Sequence, residues 1–194
     1  MSARLEPGAI AERLQARFAE QIQSVQLEGC APWAVVAPGA IAEVAGWLHS
    51  EAELRFDNLM SLSGADYPEE DPPRMEVVYH LFSYTHLHRF TLKVHLPREE
   101  PRVPTVESVW GVANWHEREA FDMFGITFEG HSDLRRILLP DDWVGHPLRK
   151  DWQDPEFYNG LRVKPTEQMA QRAAAGEQIG VGPFADTPPN RHVQ

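Results

Sequence analysis

The sequence predicts an α+β fold of two layers, in which helices pack on a mostly antiparallel sheet, followed by an extended C-terminal tail. Apolar residues near the N-terminus and again at 113–124 recur at helical spacing, whereas those between residues 75 and 96 alternate with polar ones. The last part of the chain keeps neither period over most of its length. We therefore expect a folded domain at residues 1–151 and a tail at residues 152–194.

The N-terminal third carries two helices and a short strand between them. Ile10, Leu14, Phe18 and Ile22 follow Pro7-Gly8 at every fourth position, which predicts an amphipathic helix that reaches Ile22. The run "WAVV" (33–36) is rich in β-branched residues and predicts a strand. A second helix follows Pro38-Gly39, and its apolar face consists of Ile41, Val44, Ala45 and Leu48.

Residues from about 54 to 97 form the predicted sheet. Two runs alternate with a period of two, and the short link between them predicts a β-hairpin. The inward residues of the two strands are Met75, Val77, Tyr79 and Leu81, then Phe90, Leu92, Val94 and Leu96. The outward residues of the second strand are Arg89, Thr91, Lys93 and His95, so one face of the sheet meets water.

Composition limits the possible functions. Twenty-nine acidic residues stand against 18 basic ones, giving a net charge of −11 that disfavours nucleic acid as a partner. Cys30 is the only cysteine, and it cannot alone ligate an iron–sulfur cluster or a thiolate zinc site. The longest uncharged stretch, "CAPWAVVAPGAIA", is too short to cross a bilayer. The N-terminus lacks the features of a signal peptide, so we expect a soluble chain in a reducing compartment.

The helix predicted within "NWHEREAFDMFGI" (114–126) places a carboxylate among apolar residues. Glu117 shares the inward stripe with Ala113, Ala120, Phe121 and Phe124, and a buried carboxylate is costly unless it is paired. We expect it to pair with an arginine from the irregular segment beyond Gly125, which ends the helix. The candidates are Arg135, Arg136 and Arg149. Arg118 and Asp122, four residues apart, are expected to pair on the helix surface.

Motifs for several enzyme classes are missing or incomplete. His116-Glu117 begins like a zinc-protease motif, but the second histidine is replaced by Ala120. No phosphate-binding glycine loop and no hydrolase elbow is present. His86 and His88 share one side of a strand and are either metal ligands or exposed residues of the hairpin end. Asp141-Asp142 is either an acid/base pair or a solvated turn.

The segment "WHEREAFDMFGITFEGHSDLRRILLPDDWVGHPLRKDW" resembles the signature of the C subunit, or 30 kDa subunit family, of the proton-pumping NADH:quinone oxidoreductase, respiratory complex I. Its matching parts are an E-R-E-x-x-D helix ending in Phe-Gly-Ile, a Gly-His pair, a Leu-Arg-Arg-Ile-Leu run and a Gly-His-Pro-Leu-Arg-Lys-Asp run. The match is dense over 114–151, looser from about residue 54, and limited to layout in the N-terminal helices and the tail.

This resemblance implies a non-catalytic structural and assembly subunit at the quinone end of the peripheral arm, on the cytoplasmic side of the cell membrane. It implies that FMN and iron–sulfur clusters belong to other subunits, and that this chain binds no cofactor and braces the quinone-pocket subunit and its iron–sulfur neighbours. The tail would wrap partner subunits. The residues expected at subunit interfaces are Arg118, Glu119, Asp122, Phe124, Gly125, His131, His146, Pro147, Lys150, Asp151 and Trp152.

Three alternatives remain open at this stage. Related domains occur in membrane-bound hydrogenase-type complexes, which changes the electron donor and leaves the scaffold role intact. A free-standing hydrolase using a metal at His86 and His88 is the rival from another class. A binding module outside any redox complex is the third.

Overall fold

The fold was obtained as a computed structural model that describes residues 4–29, 31–163 and 174. It is α+β, with a mostly antiparallel sheet and helices packed on it, as predicted. The chain divides into two units, Met1–Lys150 and Asp151–Gln194, one residue before the boundary expected from the sequence. In the tail, the run "TEQMAQRAAAG" (166–176) predicts a helix between Thr166 as its cap and Gly176, and it lies outside the described residues apart from Ala174.

The first helix is shorter than its apolar spacing predicts. Helix α1 spans Pro7–Arg17 and buries Ile10 and Leu14, but Ile22 begins strand β1 (Ile22–Gln26). The chain turns after Phe18, whose carbonyl accepts the N–H groups of Gln21 and Ile22. Extending the helix to Ile22 was therefore wrong, because this segment gains more by pairing with the next strand.

The main sheet has five strands in the order β1-β2-β5-β4-β3. Strand β2 runs parallel to β5, and every other neighbouring pair is antiparallel. The predicted hairpin is present, and its inward residues are buried as expected. The remaining strands of this sheet are β2 (Trp33–Val36), β3 (Asn58–Tyr67), β4 (Arg74–Phe82) and β5 (Arg89–Pro97).

A single cluster of buried side chains joins α1, α2 and the inner face of the sheet. Helix α2 spans Ile41–Ser50 after a 3₁₀ turn at Pro38–Ala40, and it buries the four apolar residues predicted for it. The opposite face of the sheet is polar: Glu76 accepts from Lys93 Nζ at 2.8 Å and from His95 Nε2 at 3.0 Å. The outward residues are polar as predicted, but Glu76 and Thr91 are only 3% and 6% exposed, so the expectation that the whole face meets water is wrong for this part of it.

Helix α3 (Ala113–Phe124) packs against β3. Along the chain, it connects the two strands of a small parallel sheet. These strands are β6 (Arg102–Pro104) and β7 (Thr127–Glu129), which sequence periodicity did not indicate. Gly64 of β3 permits the close approach, because a Cβ there would lie 2.7 Å from Cδ2 of Phe124. Gly125 ends α3 in the left-handed conformation, at φ 76°, as predicted.

The described part of the second unit contains one hairpin. Strands β8 (Phe157–Tyr158) and β9 (Leu161–Arg162) are antiparallel and are joined by Asn159-Gly160. Both turn residues have positive φ, 49° and 78°, which is the geometry that an Asn-Gly hairpin turn favours.

Candidate functional site

Helix α3 presents three charged side chains to the interior of the first unit. Glu117 and Asp122 are 0% exposed, and Arg118 is 6% exposed. We call these residues the α3 anchors. All three hold connections that lie outside the helix, and two of them hold segment 130–150, which follows β7.

Glu117 is bound by the connection between β6 and α3. Its Oε1 accepts the backbone N–H of Val106 at 2.8 Å, and its Oε2 lies 2.5 Å from the hydroxyl of Thr105. The nearest cation-forming group is His131, whose Nε2 lies 3.9 Å from Oε2. Burial raises the pKa of Glu117 from about 4.5 to about 7, although the hydrogen bonds from Thr105 and Val106 oppose the shift.

The predicted ion pair between Glu117 and an arginine is wrong among the residues that the structure describes. Arg135 pairs with Asp133 at 2.9 Å, and Arg136 pairs with Asp122 at 2.7 Å. Arg149 donates its Nε–H to the carbonyl of Phe124 at 2.7 Å. The inward aim of Glu117 was predicted correctly, but its hydrogen-bond partners are neutral donors, the Thr105 hydroxyl and the Val106 N–H, and not a guanidinium.

Asp122 organises the middle of segment 130–150. Its Oδ2 accepts three consecutive backbone N–H groups, from Ile137, Leu138 and Leu139, at 2.8–3.0 Å, and its Oδ1 accepts from Arg136. Burial opposes ionisation, but these N–H groups and the guanidinium outweigh it and hold the pKa of Asp122 below its usual range. Asp122 is thus a charged, fully satisfied anchor.

Arg118 holds the same run through its backbone acceptors. Its Nε and Nη2 donate to the carbonyls of Arg135 and Arg136 at 3.2 and 3.3 Å, and its guanidinium lies 5.3 Å from the ring centre of Trp115. The surface pair with Asp122 expected from the sequence is wrong, because Asp122 points inward to Arg136. The i, i+4 spacing alone could not show this.

The C-terminal end of α3 is closed by the end of segment 130–150. The last carbonyls of a helix lack partners within it. Here His146 Nδ1 donates to the Asp122 carbonyl at 2.9 Å, Leu148 N–H to Met123 at 3.0 Å, and Arg149 to Phe124. Burial lowers the pKa of His146.

Asp66 ties the end of the segment to the sheet. It is a buried residue of β3, and its carboxylate accepts from Nε and Nη2 of Arg98 at 2.7 and 3.0 Å. Its Oδ2 also accepts the backbone N–H of Lys150 at 2.9 Å. The Arg98 hydrogen bond lowers the pKa of Asp66 despite burial. No pattern in the sequence indicated the contact between Asp66 and Lys150, because 84 residues separate them.

The start of the segment is held by Glu107 and His131. Glu107 accepts the backbone N–H of Ser132 at 2.7 Å and the side-chain amide of Asn114 at 2.9 Å. His131 donates from Nε2 to the Asn114 carbonyl at 3.2 Å, and its Nδ1 accepts the N–H of Asp133 at 3.0 Å. Glu107 was not predicted, because nothing in the sequence links position 107 to its partners Asn114 and Ser132.

The anchored segment exposes apolar side chains to solvent. Leu138 is 62% exposed, Val144 82% and Leu148 49%. Single exposed apolar side chains are ordinary on protein surfaces, whereas contiguous groups of them mark interaction sites. Among the predicted interface residues, Glu119 and Lys150 are exposed and Pro147 is partly buried. Asp151 and Trp152 belong to the second unit, where Trp152 Nε1 donates to Asp154.

His86 and His88 are neither exposed nor part of a wider group of ligands. They are 5% and 1% exposed, and their Nε2 atoms donate to the carbonyls of Ala52 and Leu54 at 2.9 and 2.6 Å. The expectation that they lie exposed at a hairpin end is wrong. Across the described residues, no three His, Cys, Asp or Glu side chains are placed to hold a metal ion together.

No helix within residues 4–29 and 31–163 has both the length and the apolar character needed to cross a bilayer.

Comparison with known proteins places this arrangement in a family. The chain is 42% identical over 161 residues to the C subunit of the NADH-quinone oxidoreductase of Chloroherpeton thalassium, and it spans 66% of that relative's length. It is 47% identical over 148 residues to the C subunit of the Roseiflexus sp. (strain RS-1) enzyme, covering 76% of this chain and 84% of the relative.

Solved structures share the fold. A trypsin-resistant fragment (1-134) of Nqo5 matches with a TM-score of 0.54 and 36% identity, over 64% of this chain and 98% of that fragment. An archaeal membrane-bound sulfane sulfur reductase complex matches with a TM-score of 0.64 at 22% identity, over 77% of this chain and 86% of the other, a likeness of fold alone. The family model of the 30 kDa subunit of respiratory-chain NADH dehydrogenase matches residues 34–158. The resemblance drawn from the sequence is thereby confirmed, and the chain belongs to the 30 kDa subunit family of respiratory-chain NADH dehydrogenase.

Proposed function

We propose that this chain is a structural and assembly subunit of an NADH:quinone oxidoreductase, and that segment 130–150 is its docking surface. The observation that carries the proposal is the exposure of Leu138 and Val144 on a segment whose backbone is held by buried anchors. Ordering a surface loop so heavily is costly in conformational entropy. A binding surface would account for this cost, because a loop that is already ordered loses less entropy when it binds.

The enzyme complex would pass electrons from NADH through FMN and iron–sulfur clusters to quinone and couple this to proton translocation. In this proposal those cofactors lie in partner subunits, and this chain contributes no catalytic group. It would sit peripherally on the cytoplasmic side of the cell membrane, beside the quinone-pocket subunit and the neighbouring iron–sulfur subunits. The names of the relatives, all C subunits of NADH-quinone oxidoreductase, support this over a hydrogenase-type complex.

The test replaces exposed apolar residues without touching the anchors. A Leu138→Asp/Val144→Asp double variant should melt like the wild type, because both side chains are exposed in the free chain. It should co-purify with far less of the partner subunits from native membranes, since docking would bury two new carboxylates.

Leu87→Asp is the matched control. Leu87 is 63% exposed, nearly the same fraction as Leu138, but it lies elsewhere, in the β4–β5 hairpin turn. Its φ is 55°, a conformation that Asp tolerates. It should leave both melting and co-purification unchanged. Full co-purification of the double variant would overturn the proposed docking surface.

A further inference from the structure

A closed cluster of titratable side chains lies where α3 meets the start of segment 130–150. His131 Nε2 lies 3.6 Å from Oε2 of Glu107 and 3.9 Å from Oε2 of Glu117. The side chains of His131 and Glu117 are 0% exposed, and that of Glu107 is 17% exposed. Two carboxylates therefore flank one imidazole, and only Glu107 reaches water.

No strong cation balances these carboxylates. Among the described residues, Glu117 and Glu107 have no lysine or arginine within ion-pair distance, and their partners are hydroxyl, amide and backbone N–H groups. Tyr79, from β4, is the remaining titratable group that faces Glu117; it is fully buried, and the charge of Glu117 helps to raise its pKa. With every acid ionised and the imidazole neutral, the cluster would carry two negative charges, which a buried site disfavours.

The hydrogen bonds decide where a single compensating proton resides. His131 Nδ1 accepts the N–H of Asp133, so this nitrogen carries no proton of its own, and Nε2 donates to the Asn114 carbonyl. Protonating the ring would break the bond from Asp133. Glu117 Oε2 lies 2.5 Å from Thr105 Oγ1, and a hydroxyl oxygen can accept a hydrogen bond as well as donate one, so it can pair with a protonated carboxyl group at Glu117.

The two carboxylates also differ in environment. The hydrogen bonds from Asn114 and Ser132 outweigh burial and lower the pKa of Glu107, whereas burial dominates and raises that of Glu117. When two neighbouring acids have pKa values that differ in this way, the acid with the lower pKa is ionised and the one with the higher pKa holds the proton. Glu107 stays ionised, and Glu117 is the member that gains or loses the proton.

We propose that Glu117, His131 and Glu107 form one proton-binding unit, in which a proton held on Glu117 Oε2 keeps the turn at 130–133 closed on α3. Loss of this proton leaves two carboxylates around a neutral imidazole, and their repulsion loosens the turn that begins segment 130–150. The consequence for docking rests on the function proposed above, whereas the proton binding does not.

Melting of the full chain across pH 5–8.5 tests the unit. Glu117→Gln keeps the size of the side chain and an acceptor for Val106 N–H, but it cannot ionise. The melting temperature of the variant should therefore rise relative to that of the wild type as the pH increases. We expect the difference to change by on the order of 5–10 °C over this range. Glu119→Gln, the same change at an exposed position two residues away, should track the wild type.

Parallel profiles for wild type and Glu117→Gln would overturn the proposal. Carboxyl ¹³C NMR of the wild type gives an independent result if the variant fails to fold: one Glu resonance should titrate near neutral pH and be unaffected by Glu119→Gln.

Docking is measured separately, by co-purification with partner subunits at pH 6 and pH 8. Wild type should lose several-fold more partner at pH 8 than Glu117→Gln does. Equal loss, with the melting profiles still different, would overturn the docking half and leave the proton-binding unit standing. Failure of the Leu138→Asp/Val144→Asp test would instead remove the proposed function, and with it the consequence for docking, and would leave the proton-binding unit standing.

Discussion

At the residue scale, α3 shows how the number and charge of donors decide the state of a buried acid. Glu117 receives one backbone N–H and one hydroxyl, and burial raises its pKa to about 7. Asp122 receives three backbone N–H groups and a guanidinium, and its pKa is lowered although its side chain is also fully buried. Two neutral donors do not offset desolvation, whereas three donors and a full positive charge do.

These opposite directions give opposite pH dependences. Because the pKa of Glu117 is raised from about 4.5 to about 7, its contribution to the free energy of unfolding is full below pH 4.5 and lost as the pH rises through 7. The whole effect amounts to about 3 kcal/mol. Asp122 stabilises the fold above its unfolded pKa near 3.9 and loses this contribution as the pH falls through its lower folded value.

Asp122→Asn tests the charged anchor. The amide oxygen can still accept backbone N–H groups, but the NH₂ then faces Arg136, which is 16% exposed and would be left without its anion. We expect the free energy of unfolding to fall by roughly 3–5 kcal/mol, the cost of breaking a buried pair, measured by urea denaturation.

Asp133→Asn makes the same change in an exposed pair with Arg135, so its urea midpoint should stay close to that of the wild type. Equal destabilisation of the two variants would show that the pair with Arg136 is not what holds segment 130–150.

The sequence predicted where Glu117 points better than what it binds. Helical spacing alone placed Glu117 inward, since its neighbours on the stripe are apolar. Its partners, a hydroxyl and a backbone N–H at 105 and 106, carry no charge pattern by which a sequence could reveal them. Asp122 was misplaced on the surface for a related reason, because three of its four donor residues contribute main-chain groups.

At the element scale, regular periodicity predicted the elements that carry one repeated pattern. The β4–β5 hairpin and α2 follow their apolar patterns residue by residue. Strand β1 and the β6–β7 pair were missed, because each is too short to show a period and depends on a partner outside its own segment. The end of α3 was predicted, since Gly125 has a local signature.

Gly125→Ala tests that end and its contact with His146. Position 125 has φ 76°, which costs a non-glycine residue roughly 1 kcal/mol. The new Cβ would also lie 2.6 Å from Nε2 of His146, which must then move from the Asp122 carbonyl. The melting temperature should fall by several degrees, and amide exchange at Leu148 should quicken.

Gly46→Ala is the control within α2. A Cβ at position 46 meets nothing within 4 Å, so alanine should stabilise the helix interior by roughly 0.5–1 kcal/mol. The two glycine variants should therefore shift the melting temperature in opposite directions. An unchanged melting temperature for Gly125→Ala would mean that the hydrogen bond from His146 to the end of α3 does not stabilise the fold.

At the scale of the whole molecule, the contacts that hold the fold lie in the first unit, whereas the tail is expected to contribute to assembly. The anchors, the sheet and segment 130–150 all lie within Met1–Lys150, and the segment is fixed at both ends by contacts inside that unit. The tail expected from the sequence, the 43 residues 152–194, would span about 140 Å if extended. This is several times the diameter of a domain of about 150 residues, roughly 30–40 Å.

A chain ended after Asp151 separates the two roles. Because every anchor of segment 130–150 lies within the first unit, we expect cooperative melting within a few degrees of the full chain. Partner subunits should nevertheless be recovered in much lower yield from native membranes, since the tail is predicted to wrap them and to multiply the affinity of the docking surface through effective concentration. The Leu138→Asp/Val144→Asp variant in the full chain provides the comparison, because it removes the surface and keeps the tail. If the shortened chain assembles fully, segment 130–150 binds without help; if it fails to melt cooperatively, residues 152–194 belong to the fold.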